Sequence, residues 1–385
     1  MPLYDLTEFL KLSSVLNYNL SAASLSRYNV LLFILEDKRL HRSDEQDRLR
    51  KSIVMEALGF LFEAYSRKRR RLGPMAVIHP IRAAALYCRA KARIGVVDLL
   101  SALFHDILED IHPAAFEPST WKRMESDLYG ILKRLGPRNE QRLTENLLYL
   151  TKVPGESYYE YIGRLLESCS ASTELVEVKL ADRLDNTLDM RIDLRDPLDG
   201  VDFFENIFQL LFVRNYNLDK YRPLQGTSTV LNGARRLHQL FKNAVLLSLI
   251  RQKIDPKRSR DMQSLFDAVA TASLREGQRT LLQLIHHQRD VPTQRGLFFD
   301  AMEYCYKGRI DLVTKPDTRY LLDGLFSTYF AFASKKELDP KLDLLYQNKP
   351  LMIEASIAFI TIFLSFLNDE RFFVKGISAR GIEPK

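Results

Sequence analysis

The stretch from residue 96 to residue 110, VVDLLSALFHDILED, decides how this chain folds. Its apolar residues recur at spacings of three and four, which predicts an amphipathic helix that stops before His112-Pro113. His105 and Asp106 interrupt the apolar run, and ionisable groups in apolar surroundings are costly unless they are paired or bound to a cation. The same stretch therefore predicts both a buried helix and a functional site.

Helical spacing continues on both sides of this stretch. No period-two strand occurs, and no strand runs through a glycine-rich loop into a helix, so neither a dinucleotide-binding fold nor a phosphate loop is indicated. The fold class we predict is all-α. The predicted helices cover residues 25–40, 49–65, 80–95, 96–110, 158–168, 173–190, 202–221, 229–251, 258–273, 276–288, 317–334 and 349–368, with two more in 121–150 separated by Gly136-Pro137.

Two Asp-containing turns, Asp196-Pro197 and Asp199-Gly200, predict a domain boundary near residue 200. We therefore expect an N-terminal helical lead-in over residues 1–48, a helical bundle over 49–200 and a second helical region over 201–385.

The composition is that of an ordinary globular protein, with 46% hydrophobic and 27% charged residues in 385. This excludes the disordered, collagen-like and disulfide-stapled classes. Gly and Pro number only 16 and 15, which favours helices over a turn-rich β architecture.

Cysteine usage predicts a reducing compartment, because Cys88, Cys169 and Cys305 are too few and too scattered for a disulfide framework. The first residues, MPLYDLTEFLKL, lack the pattern of a signal peptide, so we expect a cytoplasmic protein. The most apolar segment, residues 355–367, is shorter than the ~20 residues that span a bilayer. We interpret it as a buried helix or as the interface of a homo-oligomer.

The net charge of +7 would attract nucleic acid, an anionic membrane or a phosphorylated small molecule. The one concentrated basic run, residues 67–71, has no interleaved aromatic side chains and no nucleic-acid module around it. Nucleic acid is therefore not the partner we expect, and most of this run is predicted to face solvent.

Four side chains of metal-binding type lie at positions where helices can bring them together: His79, His105, Asp106 and Asp182. Taken singly, a His before Pro or an Asp in a helix is usually a capping or solvated residue. Two imidazoles and two carboxylates together suit Mn²⁺ or Fe²⁺, or Mg²⁺, better than structural Zn²⁺, which favours thiolates. Glu109 and Asp110 follow one helical turn later, where a carboxylate can orient or deprotonate water.

Three segments carry a family resemblance: VIHP at 77–80, ALFHDILED at 102–110 and KLADRLDN at 179–186. They resemble the HD-superfamily hydrolase domain of RelA/SpoT-type guanosine polyphosphate 3′-pyrophosphohydrolases, whose pattern is a His-Pro, an HDxxED and a KLADRxxN in this order. The resemblance covers roughly residues 50–195.

The resemblance implies an all-α HD domain that binds one Mn²⁺ and hydrolyses the 3′-pyrophosphate of (p)ppGpp to GDP or GTP and pyrophosphate. It assigns the metal to His79, His105, Asp106 and Asp182, and the water nucleophile to Glu109 and Asp110. It assigns binding of the guanine nucleotide and its phosphates to Arg70, Lys179, Arg183 and Asn186.

The chain departs from the family pattern at three positions. Asp185 stands where the family usually has His, Ala76 where an aromatic is common, and Ile111 where Thr usually follows. We expect these positions to lie in the nucleotide pocket, so hydrolysis of another nucleotide or phosphoester is an alternative. A regulatory module that uses the site as a nucleotide sensor is a second alternative.

Overall fold

The computed structural model describes residues 26–68, 75–168, 173–189, 233–254, 259–286 and 290–307, with a few further positions beyond residue 335. Helix makes up 81% of the part that can be interpreted, which confirms the all-α prediction. A short antiparallel pair, β1 (Ile377–Ser378) with β2 (Gly381–Ile382), does not alter this class.

The helices of the described residues are α1 (Arg27–Leu35), α2 (Asp44–Ala64), α3 (Ile78–Ala90), α4 (Val96–Phe104), α5 (Ile107–Asp110), α6 (Pro118–Arg134), α7 (Pro137–Leu150), α8 (Tyr158–Ser168), α9 (Glu174–Asp189), α10 (Gly233–Lys253), α11 (Arg260–His286) and α12 (Val291–Lys307).

The predicted break between α6 and α7 is confirmed, and the two residues at the break, Gly136 and Pro137, account for it. Gly136 has a φ of 81°, a conformation that glycine adopts without steric cost. Pro137 then occupies the first helical position of α7, where a missing N–H costs nothing.

Helix α3 is the centre of the site-bearing unit, and α1, α4 and α9 pack against it. Every residue from Ile78 to Cys88 is buried, as expected of a helix that is covered on all sides. The alanines at 83–85 leave room for close neighbours, and α9 also packs against α4 and α7. The helices α3, α4 and α9 therefore form one packed group around the positions of the predicted ligands.

Two compact units divide the chain: residues 1–156, 164–189 and 256–269 form the first, and 157–163, 190–255 and 270–385 the second. The helix α1, part of the predicted lead-in, packs on α2 and α3 within the first unit. The predicted boundary near residue 200 and the helices predicted over 202–221 and 317–334 lie outside the described residues.

The prediction of one continuous helix over 96–110 is wrong. Helix α4 ends at Phe104 and α5 begins at Ile107, with His105 and Asp106 between them. Asp106 adopts φ −101° and ψ 2°, the bridge region between the helical and extended basins. The chain therefore turns at the two residues that carry the candidate ligands.

Two further predictions fail in the C-terminal half. The break expected between 273 and 276 is absent, because α11 is continuous and its interior buries Glu276, which pairs with Arg279. Helix α12 was not predicted. Its start carries a recognisable cap, since Asp290 accepts hydrogen bonds from the backbone and hydroxyl of Thr293.

Within the described residues, no helix is both long enough and apolar enough to span a bilayer. Only three positions of the apolar segment 355–367 are described. These are Ile357, Ile360 and Thr361, which are helical and buried.

Candidate metal centre

The four predicted ligands converge on one point in the first unit. His79 comes from the first turn of α3, His105 and Asp106 from the junction of α4 and α5, and Asp182 from the middle of α9. One ligand atom from each residue lies within 4.8 Å of all the others.

Neighbouring ligand atoms are in near contact. His79 Nε2 lies 3.2 Å from Asp106 Oδ2, from Asp182 Oδ1 and from His105 Nε2. His105 Nε2 lies 3.2 Å from Asp106 Oδ2 and 3.7 Å from Asp182 Oδ1. Bonds of ~2.0–2.2 Å from one ion to imidazole and carboxylate atoms place adjacent ligand atoms roughly 3 Å apart. The spacing therefore fits a single shared ion.

Both imidazoles present Nε2 to the centre because their other nitrogens are engaged elsewhere. His105 Nδ1 lies 2.8 Å from the carbonyl oxygen of Ala102, which can only accept, so this nitrogen is the donor. His79 Nδ1 lies 2.6 Å from Asp185 Oδ2. When each imidazole is neutral, this arrangement leaves the lone pair of Nε2 directed toward the centre, the tautomer that metal binding requires.

The negative charge of the carboxylates in the metal-free cluster favours binding of a cation. Burial by itself lowers the pKa of His105, but the carboxylates of Asp106 and Asp182 outweigh it and raise that pKa to about 9. Burial raises the pKa of Asp106, whereas the adjacent imidazoles of His105 and His79 hold it well below its usual range. Two ionised carboxylates thus face one small volume, where a proton or a metal ion compensates their charge.

The donor set itself fits a divalent ion. His79, His105 and Asp182 are 8%, 2% and 3% exposed, and the Asp106 side chain is 25% exposed, which leaves one side open to solvent. Imidazole nitrogens and carboxylate oxygens are common ligands of divalent metal ions in proteins. The predicted group could therefore bind a metal ion.

Two of the predicted substrate-binding residues contact the carboxylate of Asp182. Lys179 Nζ is 2.7 Å from Asp182 Oδ2, and Asn186 Nδ2 donates to Asp182 Oδ1 at 2.6 Å. Arg183 is buried at 4% exposure on the same helix. Their roles toward a nucleotide stay predictions, and Arg70 lies outside the described residues.

The two predicted catalytic acids make different contacts. Glu109 is exposed, and its Oε1 accepts a hydrogen bond from the backbone N–H of Lys152 at 2.6 Å. Asp110 forms an ion pair with Lys68 and accepts a hydrogen bond from the Tyr65 hydroxyl at 3.1 Å. Their assignment to the water nucleophile stays a prediction. Lys68, expected to face solvent with its basic neighbours, has a side chain that is 42% exposed and that also contacts Asp110.

Sequence reasoning missed a second group of buried charges behind His79. Arg82 Nε lies 2.5 Å from Asp185 Oδ1, and Arg82 also forms an ion pair with Asp189. The expectation that Asp185 lines the nucleotide pocket is wrong, because Asp185 is 0% exposed and contacts His79. Asp182, Asp185 and Asp189 share one face of α9 at helical spacing, and this pattern was visible in the sequence.

The fold and the site together define an all-α protein with a buried cluster of two histidines and two aspartates. No family model, curated protein or solved structure matches the chain. The features that bear on its function are the geometry of the cluster and the motifs that supply its residues.

Proposed function

We propose that this protein is an HD-type metal-dependent phosphohydrolase that removes the 3′-pyrophosphate of guanosine polyphosphates. Water attacks the phosphorus attached to the ribose 3′ oxygen, and the bond between that phosphorus and the 3′ oxygen breaks. The products are GDP or GTP, with a free 3′ hydroxyl, and pyrophosphate. We further propose that Mn²⁺ is the resident ion and that the reaction takes place in the cytoplasm.

The observation that carries the proposal is the convergence of His79, His105, Asp106 and Asp182 within 4.8 Å. These residues come from the three segments whose motifs resemble the RelA/SpoT-type hydrolase domain. A divalent ion held there supplies Lewis acidity, which activates water and neutralises charge on the phosphoryl oxygens.

Protein side chains supply the remaining functions. In the proposed reaction Glu109 and Asp110 orient the attacking water or take up its proton, because they lie one helical turn after the two ligands His105 and Asp106. Lys179, Arg183 and Asn186 on α9 and Arg70 hold the nucleotide and its phosphates.

One observation favours a second candidate, a hydrolase of the same chemistry that acts on another phosphorylated nucleotide. Asp185, which replaces the histidine of the family pattern, is fully buried against His79 and Arg82. Asp185 is therefore not free to contact a guanine nucleotide, so no nucleotide contact is made from this position of the family pattern.

A nucleotide panel with Mn²⁺ tests the proposal. The purified protein is incubated with ppGpp, pppGpp, GTP, dGTP and ATP, and the products are separated by anion exchange. We expect pyrophosphate release from the first two substrates. Release of phosphate groups from a different nucleotide would favour the second candidate, and binding without turnover of any nucleotide would favour a regulatory module.

A matched pair of variants ties the activity to the cluster. Asp182→Asn removes one ligand charge and should abolish Mn²⁺ binding and turnover together. Asp127→Asn makes the same chemical change at an exposed position of α6 and should leave both unchanged. Full activity in Asp182→Asn would overturn the proposal.

A further inference from the structure

A line of buried polar contacts leads away from the candidate metal centre through His79. His79 Nδ1 meets Asp185 Oδ2 at 2.6 Å, and Asp185 Oδ1 accepts from Arg82 Nε at 2.5 Å. Arg82 in turn forms an ion pair with Asp189. All four residues are at most 8% exposed, and they lie on the two packed helices α3 and α9.

The contact with Asp185 fixes both the ring plane and the tautomer of His79. A carboxylate can only accept, so Nδ1 carries the proton and Nε2 keeps its lone pair. That Nε2 lies 3.2 Å from Asp106 Oδ2 and from Asp182 Oδ1. A neutral imidazole without this partner would have two tautomers, and only the tautomer protonated at Nδ1 presents a lone pair of Nε2 to a metal.

Arg82 gives Asp185 a defined orientation. A buried carboxylate without a partner is strongly destabilised and tends to take up a proton, which would turn it from an acceptor into a donor. The guanidinium of Arg82 supplies the compensating charge through its planar, forked donors, one side to Asp185 and the other to Asp189. One oxygen of Asp185 is thereby committed to Arg82, and the other is left for His79.

From this geometry we infer that Asp185 is a positioning residue for the metal centre, which orients His79 and fixes its tautomer, and that Arg82 orients Asp185. The inference rests on the part of the proposed function that places a divalent ion among the four ligands. It adds a carboxylate–histidine–metal arrangement that depends on a charge pair between α3 and α9.

Direct titration with Mn²⁺ tests the inference, with free Mn²⁺ measured by its paramagnetic resonance signal. Asp185→Asn keeps the size of the side chain and one acceptor oxygen but removes the charge. We expect Mn²⁺ to bind ~10–100-fold more weakly to this variant than to the parent protein, the usual effect of losing the outer partner of a metal-binding histidine.

A matched control separates positioning from general destabilisation. Glu177 is also fully buried on α9 and is ion-paired with a cation, Lys91 Nζ at 2.6 Å. Glu177→Gln therefore removes a charge from a comparable buried pair at a different place on the helix. We expect its melting temperature to fall as in Asp185→Asn, while its affinity for Mn²⁺ stays within about twofold of the parent value.

A second variant covers the case in which Asp185→Asn does not fold. Arg82→Lys keeps the positive charge but loses the planar fork, so Mn²⁺ should bind less tightly than in the parent and more tightly than expected for Asp185→Asn. The diamagnetic Mg²⁺ complex of the parent protein gives a further measurement: ¹⁵N spectra of its histidines should show His79 protonated at Nδ1.

The outcomes distinguish this inference from the proposed function. Unchanged Mn²⁺ affinity in Asp185→Asn or, where that variant does not fold, in Arg82→Lys overturns the positioning role and leaves the hydrolase proposal standing. Equal weakening in Glu177→Gln overturns it as well, because the effect would then be one of stability. A parent protein that binds no Mn²⁺ overturns both, whereas tight binding without turnover contradicts the hydrolase alone.

Discussion

Metal binding should depend steeply on pH, because the ion must replace a proton on His105. In the metal-free protein the pKa of His105 is raised to about 9: burial lowers it, and the stronger influence of Asp106 and Asp182 raises it. At neutral pH the imidazole is therefore protonated, and Nε2 cannot donate a lone pair to a metal until that proton leaves.

The size of the effect follows from this pKa. With a value near 9, the apparent affinity for a divalent ion should rise about tenfold between pH 6.5 and 7.5 and roughly 80-fold between pH 6.5 and 8.5, before it levels off. The stability of the metal-free protein should change in the opposite direction. Because the pKa lies above its ordinary value of 6.5, the stabilisation is fully present below pH 6.5 and is lost as the pH rises through about 9. The loss amounts to about 3 kcal/mol.

Calorimetric titration with Mn²⁺ at several pH values, each in two buffers of different ionisation enthalpy, measures both quantities. The difference between buffers should correspond to about one proton released per ion near pH 7, falling toward zero above pH 9. A pH-independent affinity with no proton release would show that His105 is neutral before the ion binds, and the electrostatic reasoning would be refuted.

Three further predictions concern single side chains. If Arg70 contacts phosphate as proposed, Arg70→Ala should raise KM several-fold, whereas Arg67→Ala, a change at an exposed position, should not. Steady-state kinetics with ppGpp compare the two variants, and equal effects would show that Arg70 has no special role in the basic run. Phe104→Ala should lower the free energy of unfolding by ~3–5 kcal/mol, since the ring is fully buried edge-on to Phe60; a denaturant titration showing less than 1 kcal/mol would contradict this. Glu109→Gln should lower kcat by ~10²–10⁴ while bound Mn²⁺ and melting temperature stay unchanged, and an active but destabilised variant would show a structural role instead.

The parts of this structure that sequence predicts are those encoded by local patterns. Apolar spacing is repeated every turn, so it identified α8 at Tyr158–Ser168 and placed α9 to within one residue at each end. The ligand pair His105-Asp106 was likewise predictable, because ionisable residues inside an apolar run require a partner or a cation. His79 and Asp182 were predicted from their helix positions and from the motifs that resemble the family. The four side chains do converge as expected.

The parts that sequence does not predict depend on partners that are distant along the chain. Arg82 and Asp185 are separated by 103 residues, and the apolar pattern of neither helix predicts that these two buried charges form a pair. One helix end was also predicted wrongly, because the break expected between 273 and 276 lies inside the continuous helix α11. For Arg82 and Asp185, the pairing is decided by how α3 and α9 pack together rather than by local sequence.

The interruption between α4 and α5 brings two adjacent ligands of the candidate metal centre together. In a continuous helix, successive side chains point about 100° apart, so His105 and Asp106 would leave the helix in different directions. The chain instead leaves the helix at Phe104, and the bridge conformation of Asp106 brings its Oδ2 to 3.2 Å from His105 Nε2. Helix α5 then resumes at once, with the backbone N–H groups of Glu109 and Asp110 both bonded to the carbonyl of Asp106. The turn that brings two adjacent ligands onto one centre therefore also sets where the two acids begin, and a substitution that restored a continuous helix here would separate the ligands without changing any of them.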